Sequence, residues 1–234
     1  MKIPFCLIFI FFPAIISAAD VFPGSTLHAS NSENSRDSPN KTFILSFIQE
    51  AENTYFAAII YNGIPVWKAG GDPGGAVNSS AALRFLPDGN LQLVYTSTGF
   101  LVWQSNTAGR EVSTGKLDDS GNFILRNGSI QIWTTFDNPS DTILPGQNFT
   151  VNHVLRSDYI RFASNTNLTS PSLVLQQPVG IFSLFDPMLS SPLTMARSSD
   201  YGEVTDDSIR FVKLESDGNL RTYSSARING SGNC

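Results

Sequence analysis

The chain has 234 residues, with 15 Lys and Arg against 20 Asp and Glu, and only two His and two Cys. A formal net charge of −5 excludes the clustered basic surface that a nucleic-acid binder needs, and two His with two Cys fall short of the three or four ligands of an ordinary His/Cys zinc site. Charged residues make up 15% of the chain, well below the roughly 25% of average soluble domains, while 18 Gly, 13 Pro and 17 Phe favour strands and turns.

In chain order, the first element is a leader. Lys2 precedes the apolar run from Ile3 to Phe12, and Ser17-Ala18-Ala19 supplies a small-residue end. This is the pattern of a secretory signal peptide over residues 1–19, cleaved after Ala19. The run is shorter than the ~20 residues a spanning helix needs, and no later stretch reaches that length. Export agrees with six Asn-x-Ser/Thr sequons, at Asn40, Asn78, Asn127, Asn148, Asn167 and Asn229, each a candidate glycan site.

Beyond the leader the pattern is strand-like. Phe43, Leu45 and Phe47 alternate with Ile44, Ser46 and Ile48; Leu91, Leu93 and Tyr95 alternate with Gln92 and Val94; Ile209, Phe211 and Lys213 interleave with Arg210 and Val212. Period-two alternation between Gly, Pro, Asn and Asp punctuation predicts an all-β protein with little helix. Three apolar strands end in tryptophan, at Trp67, Trp103 and Trp133, and these are all the tryptophans of the chain. Each such unit is too small to bury its own apolar face, so the repeat predicts three small sheets sharing an aromatic core. Gly70-Gly71-Asp72-Pro73-Gly74-Gly75 lacks the Lys-Ser/Thr of a phosphate loop and is expected to be a mobile surface loop.

A second repeat overlaps the first. Phe85-Leu86-Pro87-Asp88-Gly89-Asn90-Leu91, Leu117-Asp118-Asp119-Ser120-Gly121-Asn122-Phe123 and Leu214-Glu215-Ser216-Asp217-Gly218-Asn219-Leu220 share one form, an Asp/Ser-Gly-Asn core between apolar residues. Glycine permits positive φ, so each reads as a tight hairpin turn. Asn90 and Asn122 are 32 residues apart and Asn122 and Asn219 are 97 apart, close to three times as far. No strands are assigned over 164–171 and 188–207, which are irregular in sequence.

No catalytic set assembles. His28 and His153 are 125 residues apart with no Gly-x-Ser-x-Gly elbow, and Asp118-Asp119, Asp186 and Asp206-Asp207 show no acid/base spacing. Protein-kinase motifs (Val-Ala-Ile-Lys, His-Arg-Asp, Asp-Phe-Gly) do not occur. The expectation is a protein that is not an enzyme and uses no cofactor or metal.

The sequence resembles the bulb-type (G-type, monocot mannose-binding) lectin domain, as in the ectodomains of plant S-locus lectin receptor-like Ser/Thr kinases. The residues that carry the likeness are Pro23-Gly24-Ser25-Thr26-Leu27, Ser38 to Phe43, the three tryptophan units, the turns at Asn90 and Asn122, and the stretch from Trp133 to Gln147. The likeness is strong over 22–148 and weaker beyond. It implies a lectin domain over 20–148 and a second, degenerate lectin-like domain over 149–234. The implied fold is the β-prism, three antiparallel four-stranded sheets about a pseudo-threefold axis with the tryptophans at its centre.

Mannose-binding members use Gln-x-Asp-x-Asn-x-Val-x-Tyr on a strand, where alternate residues face one sugar: Asp, Asn and Gln meet its hydroxyls and Val packs on the ring. Here the first copy reads Leu86, Asp88, Asn90, Gln92, Val94 and the second Asp118, Ser120, Asn122, Ile124, Arg126. The third, Glu215, Asp217, Asn219, Arg221, Tyr223, keeps most, but sets Arg where the ring should rest. Asp-Gly-Asn is also what a plain hairpin turn prefers. The resemblance thus points to Asp88, Asn90, Asn122, Glu215, Asp217, Asn219 and Tyr223 as candidate carbohydrate contacts in damaged sites.

The resulting expectation is an extracellular, non-catalytic recognition domain of a receptor-like kinase whose kinase lies outside this chain. Its partner is a mannose-type glycan or another extracellular protein, with a homodimer left open. The alternative is a free secreted cell-wall glycoprotein with a structural role. Removal of the leader takes Cys6 away and leaves Cys234 as an odd cysteine, which the resemblance explains as the first of a following Cys-rich module.

Overall fold

The computed structural model describes residues 20–31, 34–150, 153–157, 160–163, 170–176, 179–202 and 208–226. Residues 1–19, where a leader is expected, with Cys6, Cys234 and the sequons at Asn167 and Asn229, lie outside the described residues. Every regular element among those described is a strand. The first twelve are β1 (Asp20–Val21), β2 (Thr26–His28), β3 (Arg36–Asp37), β4 (Phe43–Ala51), β5 (Thr54–Tyr61), β6 (Ile64–Lys68), β7 (Ala81–Phe85), β8 (Leu91–Tyr95), β9 (Leu101–Gln104), β10 (Thr114–Leu117), β11 (Phe123–Asn127) and β12 (Ile130–Thr134). Then follow β13 (Thr142–Ile143), β14 (Asn148–Thr150), β15 (Val154–Ser157), β16 (Ile160–Ala163), β17 (Ser172–Gln176), β18 (Ile181–Phe185), β19 (Leu193–Arg197), β20 (Ser208–Leu214) and β21 (Leu220–Ala226).

The first twelve form three four-stranded antiparallel sheets, ordered β3-β4-β5-β6, β2-β7-β8-β9 and β1-β10-β11-β12. The period-two pattern sets their inner faces: Phe43, Leu45 and Phe47 on β4, Leu91 and Leu93 on β8, and Phe123 and Leu125 on β11 are all buried. Each sheet carries one tryptophan in a matching register, with Ile59 opposite Trp67, Leu93 opposite Trp103 and Leu125 opposite Trp133. A bulge follows the inner residue of each pair, at Ile59/Ile60, Leu93/Val94 and Leu125/Arg126. The extra residue bends the strand there. The three indoles meet edge to face, with centroids 5.6 Å apart for Trp67–Trp103, 6.0 Å for Trp67–Trp133 and 5.9 Å for Trp103–Trp133. That geometry aims a positive ring edge at a negative face, which favours it over a stacked sandwich.

The remaining strands form sheets ordered β14-β17-β18-β19, β13-β20-β21 and β15-β16. The irregular stretch 188–207 therefore contains a strand, β19, whose exposed Leu193 and Met195 gave no alternation to read. The four-stranded sheet repeats the earlier register: a bulge follows Phe182, whose partner Ala196 stands where the other sheets have tryptophan. A second apolar core gathers Ile143, Phe149, Leu155, Leu173, Leu175, Phe182, Leu184, Val212 and Leu214. β20 separates the two cores, because Ile209 and Phe211 join the tryptophan core while Val212 and Leu214 join the second. The two groups of sheets are thus packed on each other, and the Tyr61 hydroxyl adds a contact at 3.0 Å to the carbonyls of Ser225 and Ala226.

The Gly-rich segment is held rather than loose. Asp72 accepts from the Lys68 ammonium at 2.7 Å, and Gly75 packs so closely on Ala69 that a Cβ would collide with its carbonyl oxygen.

Candidate functional site

The Gly-Asn turns fall into two kinds. Gly89 and Gly121 have φ of 87° and 84°, and a Cβ on Gly121 would meet Leu144 and Phe43 at 2.7 Å, so glycine is required. The carboxylates of Asp88 and Asp118 accept from the backbone N–H of Asn90 (3.0 Å) and of Ser120 (3.0 Å), closing Asx turns. The asparagines then point inward. Asn90 is 2% exposed; its Oδ1 accepts from the Ser105 hydroxyl (3.0 Å) and the Thr107 N–H (3.1 Å), and its Nδ2 donates to Gln104 (2.9 Å). Asn122 is likewise buried, accepting from the Thr135 hydroxyl (3.1 Å) and the Phe136 N–H (3.2 Å). Ser105 and Thr135 also accept the N–H of Leu91 and of Phe123, so each asparagine ties its turn to the strand that carries the tryptophan.

The remaining tryptophan-bearing sheet, β3-β4-β5-β6, has no such asparagine. Three residues before Ile59, where the other sheets have Asn90 and Asn122, stands Phe56. The Lys68 ammonium lies over its ring at 4.1 Å and pairs with Glu50 (2.8 Å) and Asp72 (2.7 Å). Burial opposes that charge, but the hydrogen bonds and charges of Asp72 and Glu50 outweigh it and hold the lysine pKa above its usual value. Nothing in the sequence pattern marked this cluster, although a lysine directly after a buried tryptophan could have.

Asn219 differs. It is exposed, in the turn between β20 and β21, and lies outside the tryptophan-bearing sheets. Asn219, Arg221 and Tyr223 share one face of β21 by strand alternation. Asp217 accepts from the Asn219 N–H (2.9 Å) and from both ends of the Arg221 guanidinium (3.0 and 2.5 Å). The Tyr223 hydroxyl donates to Glu215 at 2.6 Å, and its ring stacks on Phe211 at 5.4 Å. The Arg221 hydrogen bond holds the Asp217 carboxyl well below the usual range, and Asp217 in turn raises Arg221. Glu215 raises the Tyr223 phenol by holding its proton. Of the seven candidate contacts, the structure brings Glu215, Asp217, Asn219 and Tyr223 into one open patch and leaves Asp88, Asn90 and Asn122 in two separate turns. The patch can donate to and accept from hydroxyl groups, and its tyrosine ring offers an apolar seat.

The described sequons at Asn40, Asn78, Asn127 and Asn148 are all at least partly exposed. Among the described residues, no helix is long and apolar enough to cross a membrane.

Residues 65–165 match the family model described as D-mannose binding lectin. A G-type lectin S-receptor-like serine/threonine-protein kinase of Arabidopsis thaliana is 36% identical over 255 aligned positions, covering 97% of this chain and 29% of the kinase. The epidermis-specific secreted glycoprotein EP1 of Daucus carota is 33% identical, covering 53% of this chain and 31% of EP1. The chain thus spans less than a third of the length of either relative. Among solved structures, a monomeric monocot mannose-binding lectin from Gastrodia elata is 22% identical, covering 50% of this chain and 94% of that one, with a TM-score of 0.36.

Proposed function

The chain belongs to the bulb-type, D-mannose binding lectin family, and from that premise we propose that it is a non-catalytic extracellular recognition module whose contact face for mannose-type glycans is the patch on β21. We read the three tryptophan-bearing sheets as the β-prism of a lectin domain over 20–148, and residues 149–234 as a second, degenerate copy whose sheets also take in β13 and the start of β14. The repeated bulge, with Ala196 in the tryptophan position, supports that second copy. As in the receptor-like kinase it is similar to, the module would couple binding of an extracellular ligand to a Ser/Thr kinase lying outside this chain.

The observation that carries the reading is the exposure of Asn219, Arg221 and Tyr223 on one strand face, with Glu215 and Asp217 beside them. Asp88, Asn90 and Asn122 then hold turns, while the third copy meets ligand. Arg221 limits the site, because it occupies the place of the ring-packing residue and keeps Asp217 engaged. Affinity for a single mannose is therefore weak, and a branched glycan making several contacts is the better ligand. Asn40, Asn78, Asn127 and Asn148 are available to carry glycans of the protein's own.

An array of mannose-terminated glycans tests this directly. The expected result is weak binding that Asn219→Ala abolishes and Arg221→Val strengthens by about tenfold, since the change frees the Asp217 carboxylate and restores an apolar seat. Absence of binding by both the native chain and Arg221→Val rejects the site. The likeness to a secreted carrot glycoprotein favours one second reading, a free wall protein with no sugar ligand. Retention on wall material unchanged by Asn219→Ala would support it.

A further inference from the structure

A cavity of about 330 Å³ opens at the tryptophan cluster, and all three indoles line it. Its size lies at the lower end of the ~300–1,000 Å³ typical of small-ligand sites. It is built from both groups of sheets: Gln104 and Asn106 follow Trp103, Asp137 and Asn138 follow Trp133, and His153 and Arg156 come from β15 and the residue before it. The backbone N–H of Arg156 donates to the carbonyl of Ser140 at 2.8 Å, which fixes β15 at its wall.

The lining is rich in donors without partners. Trp67 donates its indole N–H to the Asn138 carbonyl at 2.8 Å, whereas those of Trp103 and Trp133 have no hydrogen-bond partner among the described residues. The Gln104 Oε1 already accepts from Asn90 (2.9 Å) and Gln92 (3.3 Å), so its NH₂ is the free end. His153 accepts the Thr150 N–H at Nδ1 (3.2 Å), which leaves Nε2 as the donor of the neutral ring. The Arg156 side chain is exposed and makes no ion pair among the described residues. Lys68, also in the wall, is already paired with Glu50 and Asp72. Against these donors stands one carboxylate, Asp137, with one oxygen engaged by Thr134 and Gln131.

The indoles give the cavity an apolar side for a pyranose ring, and an excess of donors suits a ligand dominated by acceptors. We propose that this cavity binds a sugar carrying a carboxylate, a uronic acid, with its ring against the tryptophan cluster and its carboxylate forked by Arg156. Charge-assisted, bidentate pairing is what a guanidinium offers and a neutral sugar cannot use. The remaining Asp137 oxygen accepts a ring hydroxyl. The site shares no residue with the patch on β21 and does not depend on mannose binding there.

The chain carries its own reporter, since its only three tryptophans line the cavity. The full chain is titrated with trigalacturonate and, in parallel, with its methyl ester, which keeps the rings and removes the charge. The expected result is a saturable tryptophan fluorescence change with trigalacturonate and at least about tenfold weaker binding of the ester, the scale of a charge-assisted pair. Arg156→Ala should reduce affinity for the acid to that for the ester. Asn106→Gly, which preserves the φ of 58°, should leave folding intact and weaken both ligands slightly. Equal binding of acid and ester, an unchanged affinity in Arg156→Ala, or binding without a fluorescence change each overturns the proposal.

Discussion

The two groups of sheets solve the same problem by different means. The first closes three sheets on a cluster of indoles and ties its turns with buried asparagines. The second has Ala196 at the tryptophan position and buries instead Arg210, fully inaccessible, with Asp200 at 2.9 Å. Its Gly-Asn turn stays open to solvent. One sequence motif therefore has two fates. What decides between them is whether a tryptophan strand with a Ser or Thr two residues beyond the indole returns to receive the asparagine.

That contrast can be broken most severely at its centre. Trp67→Ala removes one of three mutually touching indoles, the one that donates to Asn138, and should cost about 3–5 kcal/mol, as other large core truncations do, read from denaturant midpoints. In the second group, Asp200→Asn removes the carboxylate that pairs with the buried Arg210 at 2.9 Å and should cost about 3 kcal/mol at neutral pH. The pairing with Arg210 depresses the Asp200 pKa, so its contribution is complete above the ordinary carboxylate value of 3.8 and fades as pH falls below it. The gap in stability between native chain and variant should narrow in the same direction, and a gap independent of pH would contradict the pairing.

The turns give the smaller and sharper effects. Asn90→Ala leaves the buried Thr107 N–H without its acceptor, removes one hydrogen bond each from Ser105 and Gln104, and should cost about 2 kcal/mol. Asn219→Ala touches an exposed amide in the same motif and should change stability by less than about 0.5 kcal/mol, while affecting ligand binding. Equal costs at the two positions would erase the distinction between them.

Much of the first group was legible. The alternation at Phe43, Leu45 and Phe47 marked an inner face, and the spacing of Trp67, Trp103 and Trp133 foretold a shared aromatic centre, because period and repeat are local properties of the chain. The division among the Gly-Asn turns was less visible, since Asn90 and Asn219 sit in identical Asp-Gly-Asn triplets. Their difference lies in partners 14 to 17 residues away, Gln104, Ser105 and Thr107, which only register brings together. A tryptophan follows Asn90 by 13 residues and Asn122 by 11, and none follows Asn219; that spacing was the available signal. Ionic clusters such as Lys68 with Glu50 and Asp72, or Arg210 with Asp200, carry no period and stay invisible until the chain is folded.

The central claim, that the exposed copy of the motif recognises ligand while the buried copies hold the fold, is tested most directly by following the side-chain amide resonances of the three asparagines by NMR during titration with a mannose oligosaccharide. The account predicts shifts at Asn219 and its neighbours Arg221 and Tyr223, with Asn90 and Asn122 unmoved. Shifts at Asn90 or Asn122 with Asn219 silent would contradict it.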